Sequence, residues 1–398
     1  MKLAAPLLAA LAVAACSSGG SSNLPATSGS AFSLVTRVPD WQATGSATRA
    51  CNDMRAGYAH CDALLLNTKF SPTVAGWTAQ DIESVYNLPS STKGKGEIVA
   101  IVDAYDNPNA ATDIAEYRSE FDLGTANFTK YNEEGQQGDY PTPNKGWALE
   151  EDLDIEMVSA ACPNCTIYLI EANTNGTADL QTAEAEAVTL GAHIVSNSWG
   201  CTGSNACLDT SYFDTSGVAY LASAGDGGYG TQAPAALASV IAVGGTTLAQ
   251  SGSKWSQAVW IDSGAGCATG VTKPSWQGDP KCTYRTMNDV SAVAWGVAEY
   301  DSYEYGGWFT VGGTSVSSPL TGGVIGLAGN ASKQNGGERF WKLSTKKKAK
   351  HFIAITTGDV ARCPSSLQGT YLCEAGTDEY GQYSAPSGWG TPNGVKAY

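Results

Sequence analysis

Residues 312–319, Gly-Gly-Thr-Ser-Val-Ser-Ser-Pro, place hydroxyl groups directly after a pair of glycines. The small apolar residues that follow predict a buried helix, and Pro319 suits its first turn because a missing N–H costs little there. Ser315 is therefore a candidate nucleophile on a tight turn at the start of a helix. The same residues also suit a Ser or Thr that only caps a core helix, so the local pattern leaves both interpretations open.

A nucleophilic Ser needs a base within hydrogen-bond reach, and histidine is the usual choice. The chain has three histidines. His60 lies in a short cysteine loop, His193 begins a predicted strand and His351 follows a run of lysines. None has a glycine context that opens a helix, so a Ser-His-Asp triad is poorly supported, although sequence distance does not exclude it.

Five carboxylates crowd into residues 150–156, and Glu150 and Asp154 share one face of the helix predicted there because they are four residues apart. Acids near a helix N-terminus are also explained by the helix dipole, which accounts for Glu150 better than for Asp154. The functional interpretation is a pair that shares one proton. Such a pair can replace histidine as the base for a Ser hydroxyl at acidic pH.

Asp226 lies among glycines at the end of a predicted strand, in Ser-Ala-Gly-Asp-Gly-Gly. It could be an ordinary turn residue. As a functional residue it would again require acidic pH, because a protonated carboxyl donates a hydrogen bond to an oxyanion and an ionised one repels it.

The formal net charge of −15 argues against a nucleic-acid partner and fits a secreted protein. Residues 1–15 have a positive start and a short apolar run, which predicts a signal peptide, and Cys16 follows in a box typical of bacterial lipoproteins. We therefore expect an extracytoplasmic protein with a lipid anchor, at the outer membrane, in the periplasm or on the cell surface. We expect residues 16–48 to be a flexible tether, residues 49–75 a short disulfide-looped segment and residues 76–398 one catalytic domain.

Ten cysteines remain after Cys16, and they fall as close neighbours that suggest five short-range disulfides in an oxidising compartment. The pair in Cys162-Pro-Asn-Cys165 could instead be a redox or metal motif, but it closes a predicted helix rather than opening one. The proposed pairs are Cys51 with Cys61, Cys162 with Cys165, Cys201 with Cys207, Cys267 with Cys282, and Cys363 with Cys373.

Apolar strands alternate with helices from residue 76 onward, which predicts a mainly parallel sheet covered on both faces. The active site of such a sheet lies at the carboxyl ends of its strands. Residues 246–312 are expected to form antiparallel excursions. The predicted helices are 78–86, 110–121, 149–161 and 178–190, and the predicted strands are 97–103, 165–171, 193–198, 218–223 and 239–243.

Four segments in this order resemble the sedolisins, or serine-carboxyl peptidases, over the chain from about residue 76. They are Glu150-x-x-x-Asp154, Ser196-Asn-Ser-Trp-Gly200, Ser223-Ala-Gly-Asp226 and Gly313-Thr-Ser-Val-Ser-Ser-Pro319. The resemblance implies a subtilisin-like α/β fold and hydrolysis of polypeptides in acid. Ser315 would attack, Glu150 would move the proton, Asp154 would orient Glu150, and Asp226 would hold the oxyanion.

The resemblance also implies supporting and substrate-binding positions. Asp103 and Trp199 match residues that support the catalytic Glu in some members. The segments expected to pair with an extended substrate backbone are Ser198, Trp199 and Gly200 and the strand end Ser223, Ala224 and Gly225.

Two departures from the family pattern change the expectations. The family usually carries a long N-terminal prosegment, and here only the tether and the cysteine loop precede the domain, so zymogen control is not supported. The family calcium motif is altered, with Ala354 in the place of an Asp and a lengthened segment at 376–381. We therefore expect no cofactor and no standard calcium site, and we expect a monomer.

Two other functions stay open at this point. One is a catalytically silent surface lipoprotein that binds a ligand and retains the fold. The other is a conventional Ser-His-Asp hydrolase, which would be most active near neutral pH and would depend on His193 or His351.

Overall fold

The computed structural model describes residues 47–53, 55–66, 71, 73–202 and 207–398. The expected signal peptide, Cys16 and all but the end of the tether lie outside these residues. Within the described part, no helix combines the length and the apolar character needed to cross a bilayer.

An eight-stranded sheet forms the centre of the molecule, and its strands follow a spatial order that differs from their order in the chain. All neighbouring strands in it run parallel except one antiparallel pair at one edge. Its strands are β4 (Ile98–Ala104), β5 (Asn127–Asn132), β6 (Thr166–Ala172), β7 (Ile194–Asn197), β9 (Ala219–Ser223), β11 (Val240–Ser251), β12 (Lys254–Val259) and β15 (Val290–Val293).

The order across the sheet is β12-β11-β9-β7-β4-β6-β5, with β15 also paired to β11. Every residue from Val99 to Ala104 in the central strand β4 is buried, so elements cover both faces of the sheet. The sequence prediction of antiparallel pairing throughout residues 246–312 is wrong for β15, which pairs parallel to β11.

Smaller sheets surround the central one. Their strands are β1 (Thr48–Arg49), β2 (His60–Cys61), β3 (Leu64–Leu65), β8 (Trp199–Thr202), β10 (Gln232–Ala233), β13 (Gly266–Thr272), β14 (Tyr284–Met287), β16 (Trp295–Asp301), β17 (Gly307–Gly312), β18 (Phe352–Ile353) and β19 (Thr391–Pro392). One sheet has the order β1-β3-β17-β16 and another β10-β8-β2, so the segment before residue 66 is paired into the body of the domain.

Seven α-helices lie in the described part of the chain. They are α1 (Ala79–Tyr86), α2 (Ala110–Glu120), α3 (Lys145–Ala161), α4 (Thr177–Thr189), α5 (Thr314–Ala328), α6 (Glu338–Lys342) and α7 (Thr345–His351). The four helices predicted from the sequence before residue 200 are all present, and only α3 differs at an end by more than one residue.

Helix α3 begins four residues earlier than predicted because Asn144 caps it, accepting hydrogen bonds from the Gly146 and Trp147 N–H groups at 3.0 and 3.2 Å. Glu150 therefore lies beyond the first turn, where the helix dipole is weak. The helix dipole therefore does not explain the acids at residues 150–156. All α3 residues from Gly146 to Ala161 are buried, acids included.

Helices α3 and α5 pack closely against each other. At Gly323 of α5 an added Cβ would lie 2.8 Å from the Ala161 Cβ of α3, so glycine lets the two backbones approach. The packing brings Glu150 of α3 beside Ser315 in the first turn of α5.

Five disulfides further restrain the chain, and each joins a pair of cysteines proposed from the sequence. They connect Cys51 with Cys61, Cys162 with Cys165, Cys201 with Cys207, Cys267 with Cys282, and Cys363 with Cys373. The pair considered as a redox or metal motif follows the end of α3 and is bonded like the others. It therefore lies at a helix C-terminus, where the dipole does not stabilise a thiolate.

Candidate active site

Ser315 lies in the first turn of α5, directly after strand β17 and a sharp turn at Gly313. Gly313 has φ of 111°, a conformation that favours glycine. An added Cβ there would also lie 1.8 Å from the Asp62 carbonyl oxygen. The strand–turn–helix arrangement expected of a nucleophilic serine is therefore present, and its tight turn leaves room for a peptide carbonyl.

The Ser315 hydroxyl has two polar neighbours, the Ser198 carbonyl and Glu150. It donates to the carbonyl oxygen at 3.2 Å. Interaction with this hydroxyl opposes the rise in the pKa of Glu150 that burial causes, yet neither Glu150 oxygen has a hydrogen bond of ordinary length. The Ser315–Glu150 contact is thus a loose one, as is common for catalytic pairs before substrate is engaged.

Glu150 and Asp154 form a fully buried carboxyl pair on α3. Burial raises the pKa of Glu150 well above its usual value, and the charges of Asp154 and Asp103 raise it further. Burial also raises the pKa of Asp154, while hydrogen bonding with Ser198 and Glu150 opposes this. Two such groups cannot both ionise cheaply, so together they retain a proton in acid.

Asp103 lies near this pair, as expected from its position at the end of its strand. Its side chain is fully buried, and burial together with the charges of Asp154 and Glu171 raises its pKa. Trp199 contributes differently from the expectation. Its indole N–H donates to the Val102 carbonyl at 2.9 Å, so the ring anchors strand β8 to β4 and its donor is not directed to Glu150.

The two oxygens of Asp226 have different surroundings. Oδ1 accepts hydrogen bonds from the Thr314 N–H at 2.8 Å and from the Thr314 hydroxyl at 2.9 Å. Oδ2 is buried without a hydrogen bond and faces the turn at Gly313. Burial, followed by the charge of Asp62, raises the pKa of Asp226 well above its usual value. A protonated Oδ2 would therefore present a donor beside Ser315.

The predicted substrate-binding strand is occupied by the chain itself. His60 and Cys61 of β2 pair antiparallel with Gly200 and Trp199 of β8. The next residue, Asp62, donates its N–H to the Ser198 carbonyl at 3.0 Å. The other predicted strand end behaves differently, because β9 is paired on both sides within the central sheet.

The residues at the end of β9 nevertheless reach the site. The Ser223 hydroxyl donates to Asp62 Oδ2 at 2.6 Å. The Gly225 N–H donates to the Thr314 hydroxyl at 3.0 Å, which joins the residues before Asp226 to the residue before Ser315. Ala224 is buried in the core, where its N–H donates to Val243.

Three residues reach the site although no sequence pattern indicated them: Asp62, Arg49 and Gln232. The segment at 49–75 was expected to precede the domain, but its described residues pack into it. Sulfur atoms of the Cys51–Cys61 disulfide lie within 4.8 Å of a Glu150 carboxylate oxygen. The only sequence signal was one acid, Asp62, in an otherwise apolar run from Cys61 to Leu66.

The histidines have other neighbours. His60 Nε2 lies 3.7 Å from Asp62 Oδ1, and His193 Nδ1 pairs with the Gly191 carbonyl at 2.9 Å. His351 ends helix α7, and its pKa is lowered by slight burial and by neighbouring lysines. In the described residues no hydrogen bond joins these imidazoles to the Ser315 hydroxyl, whose carboxyl neighbour is Glu150.

Two groups of three potential metal-ligating side chains occur in the described residues. One consists of Glu150 with the Cys51–Cys61 disulfide, whose sulfurs are not thiolates and so do not suit a metal. The other is the buried cluster of Asp113, Asp152 and Asp301. Both Asp113 oxygens already accept hydrogen bonds from Ser302, at 2.9 and 2.7 Å, so fewer free oxygens remain than the six or more that calcium prefers.

The region of the altered calcium motif does not fit that ion. Ala354 supplies no carboxylate, and the carbonyls of Thr357 and Gly358 already accept hydrogen bonds from Val259 and Ala375, both at 3.0 Å.

Comparison with known proteins agrees with the geometry. The model of the subtilase family matches residues 124–385. Kumamolisin from Bacillus sp. (strain MN-32) is 28% identical over 293 residues, covering 64% of this chain and 52% of that protein. Sedolisin from Pseudomonas sp. (strain 101) is 25% identical over 363 residues, covering 81% of this chain and 60% of that protein. The chain thus spans little more than half the length of these relatives.

A solved structure of Pseudomonas sedolisin, a serine-carboxyl proteinase complexed with two molecules of pseudo-iodotyrostatin, superposes with a TM-score of 0.66 at 22% identity. The match covers 81% of this chain and 96% of that one. The predicted subtilisin-like fold is confirmed.

Proposed function

Because the chain belongs to the subtilase family and resembles its sedolisin members, we propose that it is a serine endopeptidase that works at acidic pH without a histidine base. One observation carries the proposal. The Ser315 hydroxyl lies in a buried site beside Glu150, and the unpaired Asp226 Oδ2 faces the turn at Gly313, two residues before Ser315.

In the proposed reaction, Ser315 Oγ attacks a peptide carbonyl while Glu150 accepts the hydroxyl proton. Asp154 shares the proton of the pair and so keeps Glu150 available as a base. Glu150 then passes the proton to the leaving amine. Water hydrolyses the resulting ester by the same steps in reverse.

The developing oxyanion would lie beside the turn at Gly313. Asp226 in its protonated form would donate from Oδ2, and the Ser315 N–H would be the second donor. Oδ1 is held in place by Thr314, which fixes the direction of Oδ2. The raised pKa of Asp226 extends the pH range over which this donor exists.

Location is part of the proposal. Five disulfides favour an oxidising compartment, and we propose an extracytoplasmic protein that is anchored through a lipid on Cys16. Its substrates would be polypeptides, and we propose that it acts as a monomer without a resident metal or other cofactor.

The alternative of a silent binding protein is favoured by one observation, the occupation of the cleft by residues 60–65. Incubation of the purified protein with a denatured protein at pH 3–4 separates the two functions. We expect the wild type to cut it and Ser315→Ala and Glu150→Gln to be at least 10³-fold slower. Equal cleavage by wild type and Ser315→Ala would exclude Ser315, and no cleavage by either would favour the binding function.

A further inference from the structure

Residues 60–65 cross the active site as an extended strand that is paired on both sides of the nucleophile. His60 and Cys61 pair with β8, and Leu64 and Leu65 pair antiparallel with Gly312 and Val311 of β17. The two residues between these pairings, Asp62 and Ala63, pass directly over the turn that carries Ser315. This is how an extended peptide adds to strand edges when it binds.

The Asp62–Ala63 peptide bond is presented to the reacting groups. The Ser198 carbonyl accepts from both the Asp62 N–H, at 3.0 Å, and the Ser315 hydroxyl, at 3.2 Å. A Cβ placed on Gly313 would lie 1.8 Å from the Asp62 carbonyl oxygen and 2.7 Å from Asp226 Oδ2, so these two oxygens are neighbours. The Asp62 carbonyl therefore lies against the turn that precedes the nucleophile and near the proposed oxyanion donor.

The Asp62 side chain fills a polar pocket and is fully buried. Its Oδ2 accepts hydrogen bonds from the Ser223 hydroxyl, at 2.6 Å, and from the Gln232 amide. Gln232 can reach it because Gly200 and Gly225 have no side chains: an added Cβ would lie 2.2 Å and 2.8 Å, respectively, from atoms of the Gln232 amide group. The pocket is built from donors, which suits a carboxylate.

Two further polar side chains from the part of the chain before the bond approach Asp62 Oδ1 without a hydrogen bond. Arg49 Nη1 lies 3.8 Å and His60 Nε2 lies 3.7 Å from this oxygen. Ser223 and Gln232, in contrast, belong to the body of the domain. They would remain to receive an acidic side chain of another substrate after the segment has left.

We propose that the pocket around Asp62 selects an aspartate on the amino side of the cut bond, and that the first such bond Ser315 cuts is Asp62–Ala63, which the chain itself presents. The inference rests on the proposed function. It extends that function by a cleavage site and by a substrate class, peptides with an aspartate on the amino side of the cut bond.

The step follows the chemistry above. Ser315 Oγ forms an ester with the Asp62 carbonyl carbon as its proton passes to Glu150. The bond from that carbon to the Ala63 nitrogen breaks, and the nitrogen takes the proton from Glu150. Water then hydrolyses the ester, which gives Asp62 a new α-carboxyl group and restores the Ser315 hydroxyl.

Cleavage would separate the two parts of the chain. Both cysteines of the Cys51–Cys61 disulfide precede the cut, and the other four disulfides follow it, so no disulfide joins the products. The segment that covers Ser315 could then leave the cleft. The short N-terminal segment did not support zymogen control from the sequence, but in this proposal it blocks the site until it is cut.

The same contacts could instead make the segment a stable inhibitor. Strand β1 pairs with β3, so residues on both sides of the bond are tied together, and the disulfide braces Cys61. A firmly held leaving group favours rejoining of the bond. The test must therefore measure cleavage itself.

The full-length protein is incubated at pH 4, and intact mass and N-terminal sequencing follow the chain over time. We expect a product that begins at Ala63, formed at a rate independent of protein concentration, and no such product from Ser315→Ala. Asp62→Asn should be cut about tenfold more slowly or worse, because an amide oxygen carries no full charge and accepts more weakly than a carboxylate from the Ser223 hydroxyl and the Gln232 amide. Asp53→Asn, the same change in the same disulfide loop, should be cut at the wild-type rate, since Asp53 binds Arg55 outside the pocket.

Thermal melting of each variant shows that it is folded. A peptide pair with the sequence of residues 58–66, with Ala at 61 and either Asp or Asn at 62, tests the pocket independently, and we expect the Asp peptide to be cut faster by about tenfold. A wild-type chain that stays intact at Asp62–Ala63 while it cuts a denatured protein would overturn the inference and leave the proposed function standing. If neither is cut by the wild type, the proposed function fails as well.

Discussion

Substitution of Asp226 gives the sharpest test of an acid-dependent oxyanion donor. Asp226→Ala removes the donor at Oδ2, and loss of one such donor typically lowers kcat by about 10²–10³-fold, or roughly 3–4 kcal/mol. It also strands the Thr314 N–H and hydroxyl, which now donate to Oδ1 at 2.8 and 2.9 Å. Each buried donor left unpaired costs about 1–3 kcal/mol of stability.

Asp226→Asn keeps the geometry and changes only the proton. Its carbonyl oxygen can accept both Thr314 hydrogen bonds, and its NH2 group then lies where a protonated Oδ2 would be. We expect it to retain activity within about tenfold of the wild type at acidic pH, whereas the Ala variant loses about 10²–10³-fold. The amide also does not ionise, so the activity of the Asn variant should extend to higher pH.

The assay is kcat/KM for a quenched fluorescent peptide from pH 2.5 to pH 8, with melting temperatures to confirm folding. The Ser315→Ala variant sets the background. If the Ala variant loses less than tenfold, or if the Asn variant is as inactive as the Ala variant, Asp226 does not donate to the oxyanion. If kcat/KM falls at high pH in the same way in Asp226→Asn as in the wild type, ionisation of Glu150 and Asp154 causes that fall instead.

Two further predictions follow from burial and from the absence of imidazole in the proposed mechanism. Burial raises the pKa of Glu184 to about 8, and burial, opposed by the charge of Lys130, raises that of Glu171 to about 8. Both groups therefore contribute fully to the free energy of unfolding below their unfolded pKa of about 4.3, and this contribution is lost as the pH rises through 8. Ser315→Ala protein, which cannot digest itself, should therefore melt several degrees lower at pH 8 than at pH 4.5 in a calorimetric scan, and an equal or higher melting temperature at pH 8 would contradict this. Replacing His193 or His351 by Ala should leave the pH–activity profile unchanged within twofold, and loss of activity in either variant would support the Ser-His-Asp alternative.

Local patterns were sufficient for much of the molecule. The glycine turn before Ser315, the spacing of Glu150 and Asp154 and the alternation of apolar strands with helices depend on interactions within a few residues of one another, and each is found where it was expected. The five disulfides are of this kind too, because their cysteines are separated by 3–15 residues.

Other features depend on contacts between distant parts of the chain. Asp62 meets Ser223 across 161 residues and Gln232 across 170, and no periodicity or turn signal marks such a pairing. Strand β2 has two residues and is defined by its partner β8 rather than by its own sequence. The burial of the acids on α3 likewise results from packing against several distant elements, including α2, α5, β6 and β16, since a sequence pattern alone would place so many charges at the surface.

The sequence by itself therefore determined which groups are candidates for the reaction, because residue types and short spacings carry that information. Only the tertiary structure decided what occupies the cleft and which bond faces Ser315, because strand pairing joins segments that sequence distance keeps apart.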